Sequence, residues 1–239
     1  MTSRVPEIRQ GAVGNVRVVQ RHGRTLVEKR MTDAHRHDTE ILALRTLADT
    51  DLPVPELVDH APGSILMTLM PGERLDHGSA DERIGLLAAS APLLRRLHAV
   101  PAPAGLPDPP DDRDIIHRYR EAGGPPLPLT IPPSAGAVFC HGDWTDANVL
   151  AAGGEITAVI DWEGAHRGDP LREVSRAAWG ASLKDERSFD ALVDAYGADR
   201  DLARAWTPIH AAELWLWFAE AGPPEYLTEL TERLRRWPD

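Results

Sequence analysis

The spacing of hydrophobic positions changes near residue 70. Before it they fall in short runs, and after it they recur mostly at helical intervals. VRVVQ and TLVEK are β-branched runs on either side of RHGR, whose glycine suits a tight turn, so the pair reads as a hairpin. QGAVGN before it is a glycine-bearing turn at the strand start. In DAHRHDTEILALRTLADT, Ile41, Leu44, Leu47 and Ala48 have helical spacing, with Asp33 placed to cap the helix. LPVPELVDHA is extended, because each proline biases the residue before it away from helical dihedrals. SILMTLM is a buried strand that stops at Pro71–Gly72.

The remainder is mainly helical. ADERIGLLAASAPLLRRLHAV begins acidic and has Ile84, Leu87, Ala91, Leu94 and Leu97 at helical positions, with Pro92 expected to kink or split it. A segment rich in Pro and Gly, Pro101 to Pro133, contains a short helix at DRDIIHRYREA. An AVI strand and helices around 171–181, 185–196, 201–220 and 224–236 follow, and there is no internal repeat. The expected class is α+β: a small β-rich lobe over residues 1–70 and a larger helical lobe over 71–239, joined at LMPGE. A cleft between two such lobes is a common ligand site.

Charge and cysteine content narrow the partners. The formal charge is -11, which disfavours nucleic acid and anionic membrane. The single cysteine, Cys140, allows no disulfide within the chain and reads as a small buried strand residue. The N-terminal MTSRVPEIRQ has no apolar core of a signal peptide, and no run reaches the ~20 apolar residues needed to span a bilayer. A soluble cytoplasmic protein is expected, as a monomer or homodimer.

The chemistry concentrates in FCHGDWTDANVL, residues 139–150, and in ITAVIDWE soon after. Two apolar strands end at Asp143, Asn148 and Asp161. An amide oxygen and a carboxylate suit Mg²⁺, which takes hard oxygen ligands and usually keeps only one or two carboxylates. Asp143 is then left to orient a substrate hydroxyl and accept its proton, the arrangement phosphoryl transfer requires. Any one of these residues alone reads equally well as an Asx turn.

HGDWTDANVL followed by VIDWEGAHRGDP resembles the aminoglycoside phosphotransferase family, which has a bilobal protein-kinase-like fold. The family pattern H-G-D-x-x-x-x-N, I-D-[WF]-E and G-D-P occurs in order at His141–Asn148, Ile160–Glu163 and Gly168–Pro170. The resemblance implies Asp143 as the catalytic residue, Asn148 and Asp161 as Mg²⁺ ligands, His141 as a support of the loop, and Asp169 as a brace of the helical lobe. It also implies ATP, or GTP, as phosphoryl donor. Trp144 and the TDA before Asn148 depart from the commoner residues, and Asp146 adds a charge that suits either a cationic acceptor or a turn cap.

A nucleotide lobe needs a lysine for the phosphates and an acid to position it. Lys29 at the end of TLVEK and Glu40 in the next helix occupy the elements that carry this pair in the family. Glu28 and Arg30 lie on the opposite strand face from Lys29. Gly11 and Gly14 allow backbone to approach phosphates, although QGAVGNV is not a Walker loop. The resemblance places purine contacts at the backbone of Leu69 and Met70, with Met67 and Met70 as padding.

For the acceptor, Glu213, Trp217 and Glu220 are the candidates beside Asp146. Trp206 and Trp215 are further aromatic candidates, with core packing as the alternative. The leading expectation is a small-molecule O-kinase acting on an antibiotic of aminoglycoside, cyclic peptide or nucleoside type. A metabolic kinase for a sugar, choline or amino alcohol is the alternative within that class. A non-catalytic nucleotide-binding protein would be expected to lack one of Lys29, Asp143, Asn148 or Asp161. A metallohydrolase built on His141, Asp143, Asp161 and His166 would need more close ligands.

Overall fold

The computed structural model describes residues 14–21 and 23–237. Gly11 lies outside them. Strands β1 (Gly14–Arg21) and β2 (Arg24–Met31) form the expected hairpin, and Gly14 opens β1 opposite Met31. β3 (Leu57–Ala61) and β4 (Ser64–Thr68) complete an antiparallel sheet of order β1-β2-β4-β3. Helix α1 (Ala34–Leu47) is capped by Asp33, whose carboxylate accepts the N–H groups of His35 and Arg36.

α1 divides its apolar face between two cores. Ile41 joins Met31, Ile65 and Met67 beneath the sheet, whereas Ala43, Leu44 and Leu47 enter the large core of the helical lobe. The helix therefore fixes the small sheet to the rest of the molecule. Beyond Met70 the chain passes Gly72, whose φ is +106°. A Cβ there would lie 2.4 Å from Thr157 Oγ1 and 2.8 Å from the Ala151 carbonyl oxygen, so only glycine fits.

The larger lobe carries α2 (Ala80–Ala99), α3 (Asp112–Glu121), α4 (Pro170–Ser182), α5 (Arg187–Tyr196), α6 (Arg200–Glu220) and α7 (Pro224–Leu234). Two small antiparallel sheets cross it. β5 (Glu73–Arg74), β7 (Val149–Ala152) and β8 (Glu155–Val159) form one, and β6 (Val138–Cys140) with β9 (His166–Gly168) forms the other. Strands of two or three residues carry too little alternation to be visible in sequence.

Pro92 does not split α2, which is continuous from Ala80 to Ala99. The proline faces solvent, where water can take the carbonyl it leaves without a partner. Pro208 inside α6 is compensated locally: the Thr207 hydroxyl donates to the Arg204 carbonyl at 2.7 Å, the group the missing N–H would have met. α4 starts on Asp169, which caps the N–H groups of Leu171 and Arg172, with Pro170 in the first turn. Asp169 also accepts from the Ser134 hydroxyl at 2.9 Å and ties the Pro-rich segment to α4. Among the described residues, no helix is long and apolar enough to cross a membrane.

Trp144 anchors the loop between β6 and β7. It is 2% exposed and donates from Nε1 to Ser90 Oγ at 3.1 Å. Trp144→Ala removes a large buried side chain, so it is expected to cost about 3–5 kcal/mol in a urea titration. A loss under about 1 kcal/mol, the range of an ordinary surface substitution, would contradict this account of the anchor.

Candidate active site

The site begins with a buried ammonium. Lys29 reaches from the inner strand β2 toward three carboxylates: Glu40 of α1 at 2.7 Å, Glu163 at 2.8 Å, and Asp161. Burial disfavours the charge on Lys29, but the three carboxylates outweigh it and hold the pKa above the ordinary lysine value. Arg36 of α1 donates to the other oxygen of Glu163 at 2.9 Å. The Trp162–Gly164 turn that carries Glu163 packs on α1. Charge and packing thus join the two lobes at one point.

Asp161 has φ 70° and ψ 67°, the one positive φ outside glycine among the described residues. The left-handed conformation costs about 1–2 kcal/mol for a residue with a Cβ. It turns the carboxylate out of the β8 direction toward Lys29. Asn148 lies at the neighbouring strand end, where its carbonyl accepts the Ile160 N–H at 2.9 Å. The Asn148 amide nitrogen donates to the Asp143 carboxylate at 2.8 Å and to the Asp143 carbonyl at 2.9 Å. Its Oδ1 is left for another partner. An amide oxygen and a half-exposed carboxylate form a hard oxygen donor set, which fits Mg²⁺.

The loop that holds Asp143 is fixed through its backbone. His141 is fully buried: Nδ1 accepts the Asp143 N–H at 3.1 Å, so Nε2 carries the proton to the Ile160 carbonyl at 3.0 Å. Gly142 has φ +84°, and a Cβ there would lie 2.0 Å from the Gly164 carbonyl oxygen. Its N–H donates to Glu173 Oε1 at 2.6 Å, while Glu173 Oε2 meets His98 Nε2 at 2.8 Å. Burial opposes the charge on Glu173, yet His98 and neighbouring imidazoles hold its pKa below the ordinary glutamate value. Cys140 beside it is buried, and its thiol pKa is pushed well up.

Asp143 itself remains half exposed. Arg176 of α4 approaches it to 4.0 Å and bonds Glu213 of α6 at 2.7 Å. Glu213 also lies 3.4 Å from Arg172, which pairs with Asp112 of α3 at 2.9 Å. Lys29, Glu40 and Asp161 therefore form one ion-pair cluster, and Asp143 with Asn148 forms the adjoining hydrogen-bonded pair. Leu69 is exposed, Met70 is partly buried, and neither has a backbone hydrogen bond among those described.

The other acceptor candidates separate. Asp146 is buried and binds Lys184 through both oxygens, at 2.9 and 2.8 Å, so its carboxylate is already neutralised. Glu220 pairs with Arg118 of α3. Trp206 and Trp215 are core residues, and Trp215 donates to Thr231 at 2.8 Å. Trp217 keeps an exposed face beside Phe218. The side-chain clusters able to hold a metal among the described residues are Glu40–Asp161–Glu163 and His98–Cys140–Glu173, and neither gathers His141, Asp143 and His166 for a metallohydrolase.

Sequence reading did not single out Glu163, Arg36, Glu173, Arg172 or Arg176. Glu163 closes the I-D-[WF]-E pattern at Ile160–Glu163. Glu173 and the two arginines look like ordinary polar positions of an amphipathic helix, and only the packing of α4 under the loop reveals them.

This fold and site define a bilobal kinase-like class. A model of the phosphotransferase enzyme family matches residues 4–206, and the chain belongs to that family. It is 32% identical over 198 residues to streptomycin 6-kinase of Streptomyces griseus, a match covering 70% of this chain and 62% of that relative. The chain thus spans less than two thirds of that protein's length. A thermostable mutant of aminoglycoside phosphotransferase APH(4)-Ia, solved with AMP-PNP and hygromycin B, superposes with a TM-score of 0.73 at 19% identity over 97% of this chain and 92% of that one. A choline/ethanolamine kinase family protein from Mesorhizobium loti has the same fold, with a TM-score of 0.66 at 17% identity, covering 94% and 88% of the two chains.

Two outcomes follow from the loop geometry. Gly142→Ala is expected to lower the melting temperature, and wild-type stability in a thermal scan would contradict the close approach to Gly164. Glu173 has a depressed pKa, so its contribution is present above the unfolded value of ~4.3 and is lost as pH falls through the lower folded value. The stability difference between wild type and Glu173→Gln in urea should narrow as pH falls below ~4.3, and a constant difference would contradict the assignment.

Proposed function

We propose that the protein is an ATP-dependent O-phosphotransferase that moves the γ-phosphoryl group to a hydroxyl of a small molecule, with an antibiotic as the acceptor. Residues 1–70 form its nucleotide lobe, and residues 71–239 carry the catalytic loop and acceptor site. The observation that carries this reading is the junction of the Lys29–Glu40–Asp161 cluster with the Asp143–Asn148 pair.

In this reading Lys29, oriented by Glu40, binds the donor phosphates, and the free peptide groups of Leu69 and Met70 face the purine. Asn148 and Asp161 hold Mg²⁺, which supplies neutralisation of phosphate charge. Asp143 orients the acceptor hydroxyl and takes its proton. The acceptor oxygen forms a bond to the γ-phosphorus, the bond from that phosphorus to the β–γ bridging oxygen breaks, and ADP leaves with the bonding pair. Asn148 holds the Asp143 carboxylate in place, and the His141 and Glu173 contacts fix the backbone below it. Most of the catalytic effect here is positioning.

The antibiotic acceptor is supported by the likeness to streptomycin 6-kinase. On α6, Glu213 is already paired with Arg172 and Arg176 and Glu220 with Arg118, so Trp217, which keeps an exposed face, is the candidate left there to contact an acceptor. Asp146 is better read as a brace between the loop and Lys184.

The test incubates the protein with Mg-ATP or Mg-GTP and streptomycin, hygromycin B, cyclic peptide and nucleoside antibiotics, choline or sugars, followed by mass spectrometry. One antibiotic gaining a phosphoryl group with wild type and not with Asp143→Asn is the expected result. Transfer to choline alone would replace the antibiotic reading with the metabolic one. Unchanged transfer by Asp143→Asn would remove Asp143 from the mechanism.

A further inference from the structure

The ground beside Asp143 is occupied by a guanidinium with a donor to spare. Arg176 rises from α4, and its Nη1 is committed to Glu213 Oε2 at 2.7 Å. Glu213 is itself held by Arg172 at 3.4 Å, so the acid that fixes Arg176 is restrained from a second side. Arg172 is in turn anchored on Asp112, at 3.0 Å from Nε and 2.9 Å from Nη2. The guanidinium is rigid and planar, so fixing Nη1 also fixes where Nη2 points.

Nη2 points toward Asp143 Oδ1 and stops 4.0 Å away, too far for a hydrogen bond. Among the described residues it has no other acceptor. The Arg176 side chain is 36% exposed and that of Asp143 is 47% exposed, so the gap opens to solvent. An acceptor hydroxyl must enter this gap to give its proton to Asp143. The reacting oxygen is a poor partner for Nη2, since a hydrogen bond from a guanidinium withdraws electron density from the oxygen that attacks phosphorus. A second oxygen on the neighbouring carbon meets no such conflict, and it is one bond away on a sugar or cyclitol ring.

We propose that Arg176 is a specificity-determining residue, which binds an acceptor oxygen vicinal to the hydroxyl held by Asp143. The acceptor therefore belongs to the vicinal diols of sugars and cyclitols rather than to isolated alcohols such as choline. This rests on the phosphotransferase reading for the role of Asp143 and narrows it to one acceptor class. Glu213 then serves the acceptor indirectly, as the group that aims Arg176.

The test pairs the side chain with the substrate oxygen. Binding of trans-1,2-cyclohexanediol and cyclohexanol is measured by saturation-transfer NMR, in the presence of AMP-PNP and Mg²⁺, for wild type, Arg176→Met and Arg176→Lys. Wild type should prefer the diol by about tenfold, the scale of one charge-assisted hydrogen bond. The preference should disappear in Arg176→Met and return in part in Arg176→Lys, which keeps a cationic donor. Equal binding of both fragments by wild type, or an unchanged preference in Arg176→Met, overturns the proposal. If Arg176→Met fails to fold, the wild-type preference and the Lys variant decide the matter. Because the fragments need no turnover, a failure to phosphorylate any antibiotic would count against the functional reading alone.

Discussion

The buried charge on Lys29 is the constraint around which the two lobes are arranged. An ammonium that is nearly inaccessible must be matched, because an unpaired buried ion would cost several kcal/mol. Its partners come from different parts of the chain: Glu40 from α1, and Asp161 and Glu163 from the segment after β8. Satisfying one side chain therefore requires the small sheet, α1 and the helical lobe to meet at a single place. α1 reinforces the meeting by contributing to both cores. In the proposed reaction the same charge faces the donor phosphates, so the group that joins the two lobes is also the one a nucleotide would engage.

The loop between β6 and β7 is held differently. His141 bonds the Asp143 N–H and the Ile160 carbonyl, Glu173 takes the Gly142 N–H, and Trp144 packs into the core. Asp143 is the residue left half exposed, with Asn148 on one side of its carboxylate and Arg176 on the other. A loop with its backbone immobilised can present one side chain in a defined direction, which proton transfer and hydroxyl alignment both demand. The positive φ of Asp161 is a comparable local cost, accepted where it directs a carboxylate at the cluster.

Much of this was legible in the sequence because it is local. The Asp33 cap, the G-D-P start of α4, the β1–β2 hairpin and the long helices each depend on residues close in the chain. The proximity of Asn148 and Asp161 was legible because they flank the β7–β8 hairpin, and Asp143, five residues before Asn148, joins them through the Asn148 amide. What depended on tertiary packing was not legible. Arg36 and Glu163 are 127 positions apart, and Arg176 and Glu213 are 37 apart. Asp146 looked available for a cationic ligand because nothing nearby in sequence indicates that Lys184 takes both of its oxygens. Trp206 and Trp215 joined the core, as their helical spacing allowed, while Trp217 alone kept an exposed face. Pro92 and Pro208 were tolerated inside helices for reasons of surroundings, solvent in one case and the Thr207 hydroxyl in the other.

The central claim is that Lys29 and Asp161 form a nucleotide-phosphate site in which Asp161 acts through Mg²⁺. The most direct measurement is calorimetric titration of AMP-PNP, with and without Mg²⁺, into wild type and Asp161→Asn. The account predicts tighter binding with Mg²⁺ in wild type and loss of that advantage in Asp161→Asn, with the metal-free affinity retained or increased as a carboxylate leaves Lys29. An equal Mg²⁺ advantage in both proteins, or no nucleotide binding by wild type, would contradict it.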